Sequence, residues 1–287
     1  MDKKKLDVLI KCIAAVVAVI LFVVLVQWTK NYDKGTDATY EIVCLGDSNF
    51  GNTRNETGIV AQISEKTGKT ALNAAFGGSM MTNQYSMKTE YHSALSMHNL
   101  AISMCNRNFG VQKSAIDTVA RTDYVGHFQE TLENLSKVDF EKVEILLIEH
   151  GVNDYMSGVP IKNGVNPYDT DTFLGTIRTV VKMLEKEYPN LRIILVTPAY
   201  CTPYTASDGQ FHPCDEYSYG GGYLEDYVTA ELEVAQELGV EIIDMYHGID
   251  MNADNASAYL YDGLHLNETG REMAAGLIAE YILGEAQ

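Results

Sequence analysis

The chain is poor in basic side chains. Its 287 residues carry 21 lysines and arginines against 39 aspartates and glutamates, a net charge of −18. Six of the lysines fall within the first 34 residues beside three acids, which leaves 15 basic and 36 acidic residues from Gly35 onward. A body this acidic repels phosphate backbones and other polyanions, which argues against nucleic acid and for neutral or cationic partners. Metal-ligand spacing is missing as well. The five cysteines include no Cys-x-x-Cys pair, and the seven histidines include no His-x-x-x-His pattern, so no metal and no cofactor are expected. There is a single tryptophan and no internal repeat.

Long uncharged apolar runs are also scarce, and the clearest stands at the amino terminus, over residues 12–26. Lys3, Lys4, Lys5 and Lys11 precede it, and Trp28 follows where a membrane interface would lie. The run is short for a span, but residues 6–10 extend it if Lys11 snorkels. The expected layout is a cytoplasmic basic tail (1–11), a transmembrane signal anchor (12–28), a polar linker (29–38) and an extracytoplasmic body (39–287). A cleaved signal peptide shares this charge pattern and would give a secreted body, but "VQWTKNYDKG" offers no good small-x-small cleavage site. Cys201 and Cys214 share a polar loop, and an oxidising compartment would permit them to pair.

Beyond residue 38 the pattern alternates. Apolar runs at 40–45, 70–75, 143–149, 191–197 and 240–245 read as strands, and their near-continuous character suits a parallel sheet buried on both faces. Between them lie helical stripes. Phe173, Ile177, Val181 and Leu184 form one, stopped by Pro189; Leu224, Val228, Leu232 and Ala235 form another, ended by Gly239. A helix from about Glu56 should end at Gly68, and Met273, Leu277, Ile278 and Tyr281 mark the last helix. This order predicts a three-layer α/β domain whose ligand site lies beyond the carboxyl ends of the strands. Two segments fall outside the pattern. Residues 79–142 read as an insertion holding two or three helices plus a lid, and residues 198–222 as a long loop on the ligand face. In that loop Tyr200, Tyr204, Phe211, Tyr217 and Tyr219 either stack on a sugar or acyl group or pack on one another.

Polar clusters fall where the strands end. The first strand stops at Gly46-Asp47-Ser48-Asn49. Gly77 and Gly78 follow the second, Gly151-Val152-Asn153-Asp154 follow the third, and Asp262 and His265 stand between the fifth strand and the last helix. Acyl transfer by a serine needs a base, a group that orients the base, and donors for the oxyanion. Each cluster alone could be a turn or a helix cap. Their order and placement along one rim are the stronger signal.

Through "GDSN" (46–49), the glycine of "FGGS" (76–79), "GVND" (151–154) and "DGLH" (262–265), the chain resembles the SGNH, or GDSL-type, hydrolase family over nearly all of residues 40–283. Asn49 stands where the family name has leucine, and the 79–142 insertion is long. The resemblance implies the family fold, an α/β/α sandwich around a flavodoxin-like five-stranded parallel sheet. It implies that Ser48 is the nucleophile, His265 the base and Asp262 its orienting acid. The oxyanion donors it implies are the backbone N–H groups of Ser48 and Gly78, with Gly77 as the alternative to Gly78, and the side-chain amide of Asn153. Asp47 and Asp154 then fix the loops from behind. His150, beside "GVND", either lines the pocket or takes a hydrogen-bonded structural role, the second being the leading expectation.

The leading expectation is a membrane-anchored esterase that removes small acyl groups, acetyl above all, from a glycan through an acyl-enzyme. An O-acyltransferase acting on a surface glycan, a lipase or lysophospholipase, and a silent binding protein are the alternatives, in falling order.

Overall fold

In the computed structural model the five apolar runs form one sheet. The structure describes residues 39–83, 93–118, 125–205 and 207–284, together with Val17. The expected tail, anchor and linker over residues 1–38 therefore lie outside the described residues, Val17 apart. Among the described residues no helix is long and apolar enough to cross a membrane.

The sheet contains β1 (Ile42–Gly46), β2 (Ala71–Asn73), β3 (Ile145–Glu149), β4 (Arg192–Val196) and β7 (Glu241–Ile243), in the order β2-β1-β3-β4-β7. Every pairing is parallel; Cys44, for instance, faces Asn73 on one side and Leu147 on the other. All five residues of β1 and of β3 are buried, so these central strands need no polar alternation. Two helix groups flank the sheet. One pairs α2 (Ile59–Thr67) with α11 (Glu268–Leu283); in the other, α7 (Phe173–Glu187) packs on α3 (Met97–Asn106) and α8 (Leu224–Leu238). Ile59, Ile63, Ile177, Leu184, Val228 and Ile278 are fully buried from these helices, each contributing about 1.5–3 kcal/mol by leaving water. The result is the expected three-layer architecture.

Helix ends follow local chemistry. Gly68 and Gly239 close α2 and α8 in the left-handed conformation, and the Thr172 hydroxyl caps α7 by accepting the Gly175 N–H. β2, β4 and β7 stop earlier than their apolar runs. The Asn73 side-chain amide donates to the Phe50 carbonyl at 2.6 Å, and Asp244 turns away from β7 to cap α9 (Met245–Gly248).

The two irregular segments carry more structure than their sequence suggests. The insertion holds α3, α4 (Gly110–Asp117) and α5 (Phe128–Ser136). Among its described residues no lid is seen, and residues 84–92 and 119–124 lie outside the described set. Within 198–222, expected as loop throughout, β5 (Tyr204–Thr205) and β6 (Gln210–Phe211) form an antiparallel hairpin. The five aromatic candidates separate accordingly. Tyr200 is buried and donates to Asp215 at 2.9 Å, Tyr217 stacks on His212, and Tyr219 bonds Thr205. Tyr204 and Phe211 alone of the five are exposed large side chains. Cys201 and Cys214 are buried neighbours but free thiols. The Cys214 N–H donates to the Cys201 carbonyl at 3.0 Å, and the Cys201 N–H to Cys214 Sγ at 3.4 Å.

Candidate active site

The tetrapeptide that ends β1 starts α1 (Ser48–Gly51). Asp47 Oδ1 accepts the Asn49 N–H at 2.9 Å and so caps this single turn, which fixes Ser48 as its first residue. From the far end of the chain, His265 Nε2 reaches Ser48 Oγ at 2.9 Å. The histidine is held by a small turn. Asp262 Oδ1 accepts the backbone N–H groups of Leu264 and His265 at 3.0 and 2.8 Å, while its Oδ2 meets His265 Nδ1 at 2.7 Å. Partial burial opposes ionisation of Asp262, but these donors outweigh it and hold the carboxyl below its ordinary range. An ionised Asp262 can only accept, so the imidazole proton sits on Nδ1 and the Nε2 lone pair faces the serine hydroxyl.

Two contacts lock this arrangement together. Asn49 Oδ1 accepts the Leu266 N–H at 3.2 Å, joining α1 to the strand-like turn that carries His265. A leucine at residue 49 could not do this. Leu260 and Leu266 bridge across the same turn, with the Tyr261 N–H on the His265 carbonyl at 3.0 Å.

Two of the expected oxyanion donors lie on the segments that follow β2 and β3. Gly78 lies at φ +75°, in the left-handed region where a side chain is disfavoured. Asn153 stands in α6 (Val152–Met156), and its Nδ2 donates to the Ser79 carbonyl at 3.0 Å and to Asp47 Oδ2 at 3.2 Å. Asp154 is fully buried beneath. Its carboxylate accepts the Met81 and Thr82 N–H groups at 2.8 and 3.1 Å and the Thr82 hydroxyl at 2.9 Å, so it fixes the chain just after the glycine pair. Burial pushes the carboxyls of Asp47 and Asp154 up to about 6, against the donors that each accepts.

Some supporting residues were not singled out from the sequence. Arg54 donates to the carbonyls of Gly51, Asn73 and Ala75 at 3.0, 3.1 and 2.9 Å, tying α1 to the segment that leads into Gly77 and Gly78. A lone arginine just after the serine turn, in a chain short of cations, was the available signal. Glu149 ends β3 fully buried, and its Oε2 receives the Asp47 N–H at 3.4 Å. Burial first, then the neighbouring Asp47 charge, pushes its carboxyl well up. An acid closing an otherwise apolar strand was its mark. His150 is fully buried with Nε2 3.1 Å from Ser79 Oγ. Because Ser79 donates to the Leu95 carbonyl at 2.7 Å, His150 acts as the donor in that pair. This is the structural role expected for it. Among the described residues no group of three or more His, Cys, Asp or Glu side chains is arranged to hold a metal ion.

A bovine isoamyl acetate-hydrolyzing esterase 1 homolog is 29% identical over 124 residues, 42% of this chain and 49% of that protein. An Arabidopsis thaliana GDSL esterase/lipase, CPRD49, is 23% identical over 139 residues, 48% of this chain and 54% of that protein. The chain thus spans about half the length of the curated relatives it matches. Among solved structures, a Lactobacillus plantarum protein superposes with a TM-score of 0.60 at 16% identity, over 87% of this chain and 99% of the other. An acetyl xylan esterase, AlAXEase, superposes with a TM-score of 0.50 at 17% identity, over 84% and 99%. At these identities the superpositions establish the fold. The family model of the GDSL-like lipase/acylhydrolase family matches residues 44–273, which takes in all four motifs, and the chain belongs to that family.

Proposed function

We propose that this protein is a carboxylic ester hydrolase acting through an acyl-enzyme on Ser48, with a preference for acetyl esters of a glycan. The observation that carries this reading is the continuous relay from Asp262 Oδ2 to His265 Nδ1, and from His265 Nε2 to Ser48 Oγ, at 2.7 and 2.9 Å. His265 Nε2 takes the hydroxyl proton as Ser48 Oγ bonds to the ester carbonyl carbon. Asp262 stabilises the imidazolium. The carbonyl oxygen becomes an oxyanion, for which the Ser48 and Gly78 N–H groups and Asn153 Nδ2 are the proposed donors. Asn153 exchanges its longer bond, the one to Asp47, for this oxygen. Collapse breaks the bond to the alcohol oxygen, which leaves with the proton from His265. Water then repeats the sequence on the acyl-enzyme and releases the acid.

The acetyl preference is supported by the names of an isoamyl acetate-hydrolyzing relative and an acetyl xylan esterase of the same fold. The extracytoplasmic, membrane-anchored setting rests on the basic flank and apolar run over residues 3–26.

The test is p-nitrophenyl ester hydrolysis by the purified full chain, across acetate, butyrate and octanoate, beside Ser48→Ala and His265→Ala. Both variants are expected to lose at least about 10,000-fold in kcat. Equal rates in wild type and Ser48→Ala would remove the nucleophile, and faster turnover of octanoate than acetate would remove the small-acyl preference.

A further inference from the structure

Among the described residues, five aromatic side chains are exposed by more than two-fifths, and three of them, Tyr204 at 54%, Phe211 at 58% and Tyr261 at 61%, are tied to the turn that carries His265. The Tyr261 ring stacks on the imidazole, with centroids 5.5 Å apart and planes 16° from parallel. Phe211 lies against Gly263, the residue between Asp262 and the turn to His265. A Cβ built on Gly263 would meet Phe211 Cδ1 at 2.8 Å and the Thr202 carbonyl oxygen at 2.3 Å. Tyr204 meets Phe211 edge-on at 5.3 Å. The Thr202 N–H on the Gly263 carbonyl, 2.6 Å, pins the β5–β6 hairpin to the catalytic turn. Glycine at φ +83° is what permits so close an approach. Residues nearly sixty positions apart are therefore fixed on one rim.

We propose that Tyr204, Phe211 and Tyr261 form a stacking platform for a neutral pyranose ring, and that the alcohol released at His265 is a hydroxyl of that sugar. The inference rests on the esterase reading above and names its alcohol side. Three arguments select the ligand. First, the departing alcohol takes its proton from His265 Nε2, so its carbon skeleton leaves on the His265 side, where these rings stand. Second, each of the three residues is more than half exposed. An aliphatic alcohol gains most when enclosed on all sides, whereas a pyranose has one apolar C–H face to lay on a ring and hydroxyl edges to leave in water. Third, residues 198–222 carry Asp208, Asp215 and Glu216 with no lysine or arginine, and Asp262 adds to them. Such a rim disfavours an alcohol bearing phosphate or carboxylate.

The experiment measures kcat/KM of the full chain on three acetates: acetylated methyl xyloside, isoamyl acetate and ethyl acetate. Wild type is compared with Tyr204→Ala, Phe211→Ala and Phe211→Tyr, and thermal melts check that each is folded. The expected result is a fall of about tenfold, through KM, in the xyloside to ethyl acetate ratio for both alanine variants, with Phe211→Tyr retaining the ratio because it keeps the ring. A ratio that stays within twofold for both alanine variants overturns the platform. A larger loss on isoamyl acetate than on the xyloside overturns the sugar in favour of an aliphatic alcohol. Wild type that cleaves ethyl acetate but not the xyloside overturns the platform and leaves the esterase standing. Wild type that cleaves none of the three overturns both.

Discussion

Asp262 holds His265 twice, through its Oδ2 on the ring at 2.7 Å and through its Oδ1 on the backbone N–H at 2.8 Å. One carboxylate thus fixes both the position and the tautomer of the base. Asp262→Asn presents an amide in place of one of these oxygens. Either the ring bond or the backbone bonds must fail, and an amide N–H facing Nδ1 moves the imidazole proton to Nε2. The expected outcome is a loss of about 10,000-fold in kcat with a fold of unchanged stability to within about 1 kcal/mol. Steady-state kinetics beside urea melts measure both, and a variant within tenfold of wild type would show that His265 does not need Asp262.

Asn153 touches Asp47 and Ser79 at once, so its loss could act by loosening loops or by removing a donor. The two differ kinetically. A donor that acts on the oxyanion is worth most in the transition state, so Asn153→Ala should lower kcat by about 100- to 1,000-fold and change KM by less than about threefold. A role confined to holding loops predicts instead a drop in melting temperature with kcat nearly kept.

Asn49 is buried and accepts the Leu266 N–H at 3.2 Å. Asn49→Leu supplies the residue of the family name but leaves that N–H unpaired, at a cost of about 1–3 kcal/mol. The melting temperature should fall by about 2–10 °C. The turn carrying His265 loosens as well, so kcat should drop by about 10- to 100-fold. A variant as stable and active as wild type would show that the contact has no weight.

Asp154 is buried, with its carboxyl pushed up from 3.8 to about 6. A group that binds its proton more tightly when folded adds stability at low pH, and that contribution is lost as pH rises through about 6. The full shift corresponds to about 3 kcal/mol, present below about pH 4 and gone by about pH 7. Asp154→Asn does not titrate. The stability gap between wild type and the variant should therefore be wider at pH 4.5 than at pH 7.5 by about 2 kcal/mol. Urea melts at the two pH values measure it, and a gap that is constant or widens with pH would contradict the raised carboxyl.

Much of the fold was legible because it is encoded locally. Runs such as "ILLIE" at β3 and "RIILV" at β4 are apolar at nearly every position, and only a sheet covered on both faces buries them all. Gly68, Gly239 and Pro189 mark helix ends by their own backbone limits. The site candidates Ser48, Gly78, Asn153, Asp262 and His265 were legible for a related reason. In a parallel sheet the segments that follow the strands share one rim, so order along the chain becomes proximity. The hairpin at β5–β6 was hidden because two-residue strands leave no alternation to read.

The sequence by itself determined the layers, the strand order of the motifs and the residue types at the site. Tertiary structure alone decided which polar atoms meet across long separations. The contact of Asn49 with Leu266 spans 217 residues, as does that of Ser48 with His265, and Arg54 reaches three carbonyls on two segments. It also decided which tyrosines face inward, since Tyr200 and Tyr204 are four residues apart in one aromatic loop yet one is buried and the other exposed. The physical reason is that periodicity records only the face each residue turns to the core, whereas directional bonds depend on distances that folding sets between segments the sequence keeps apart.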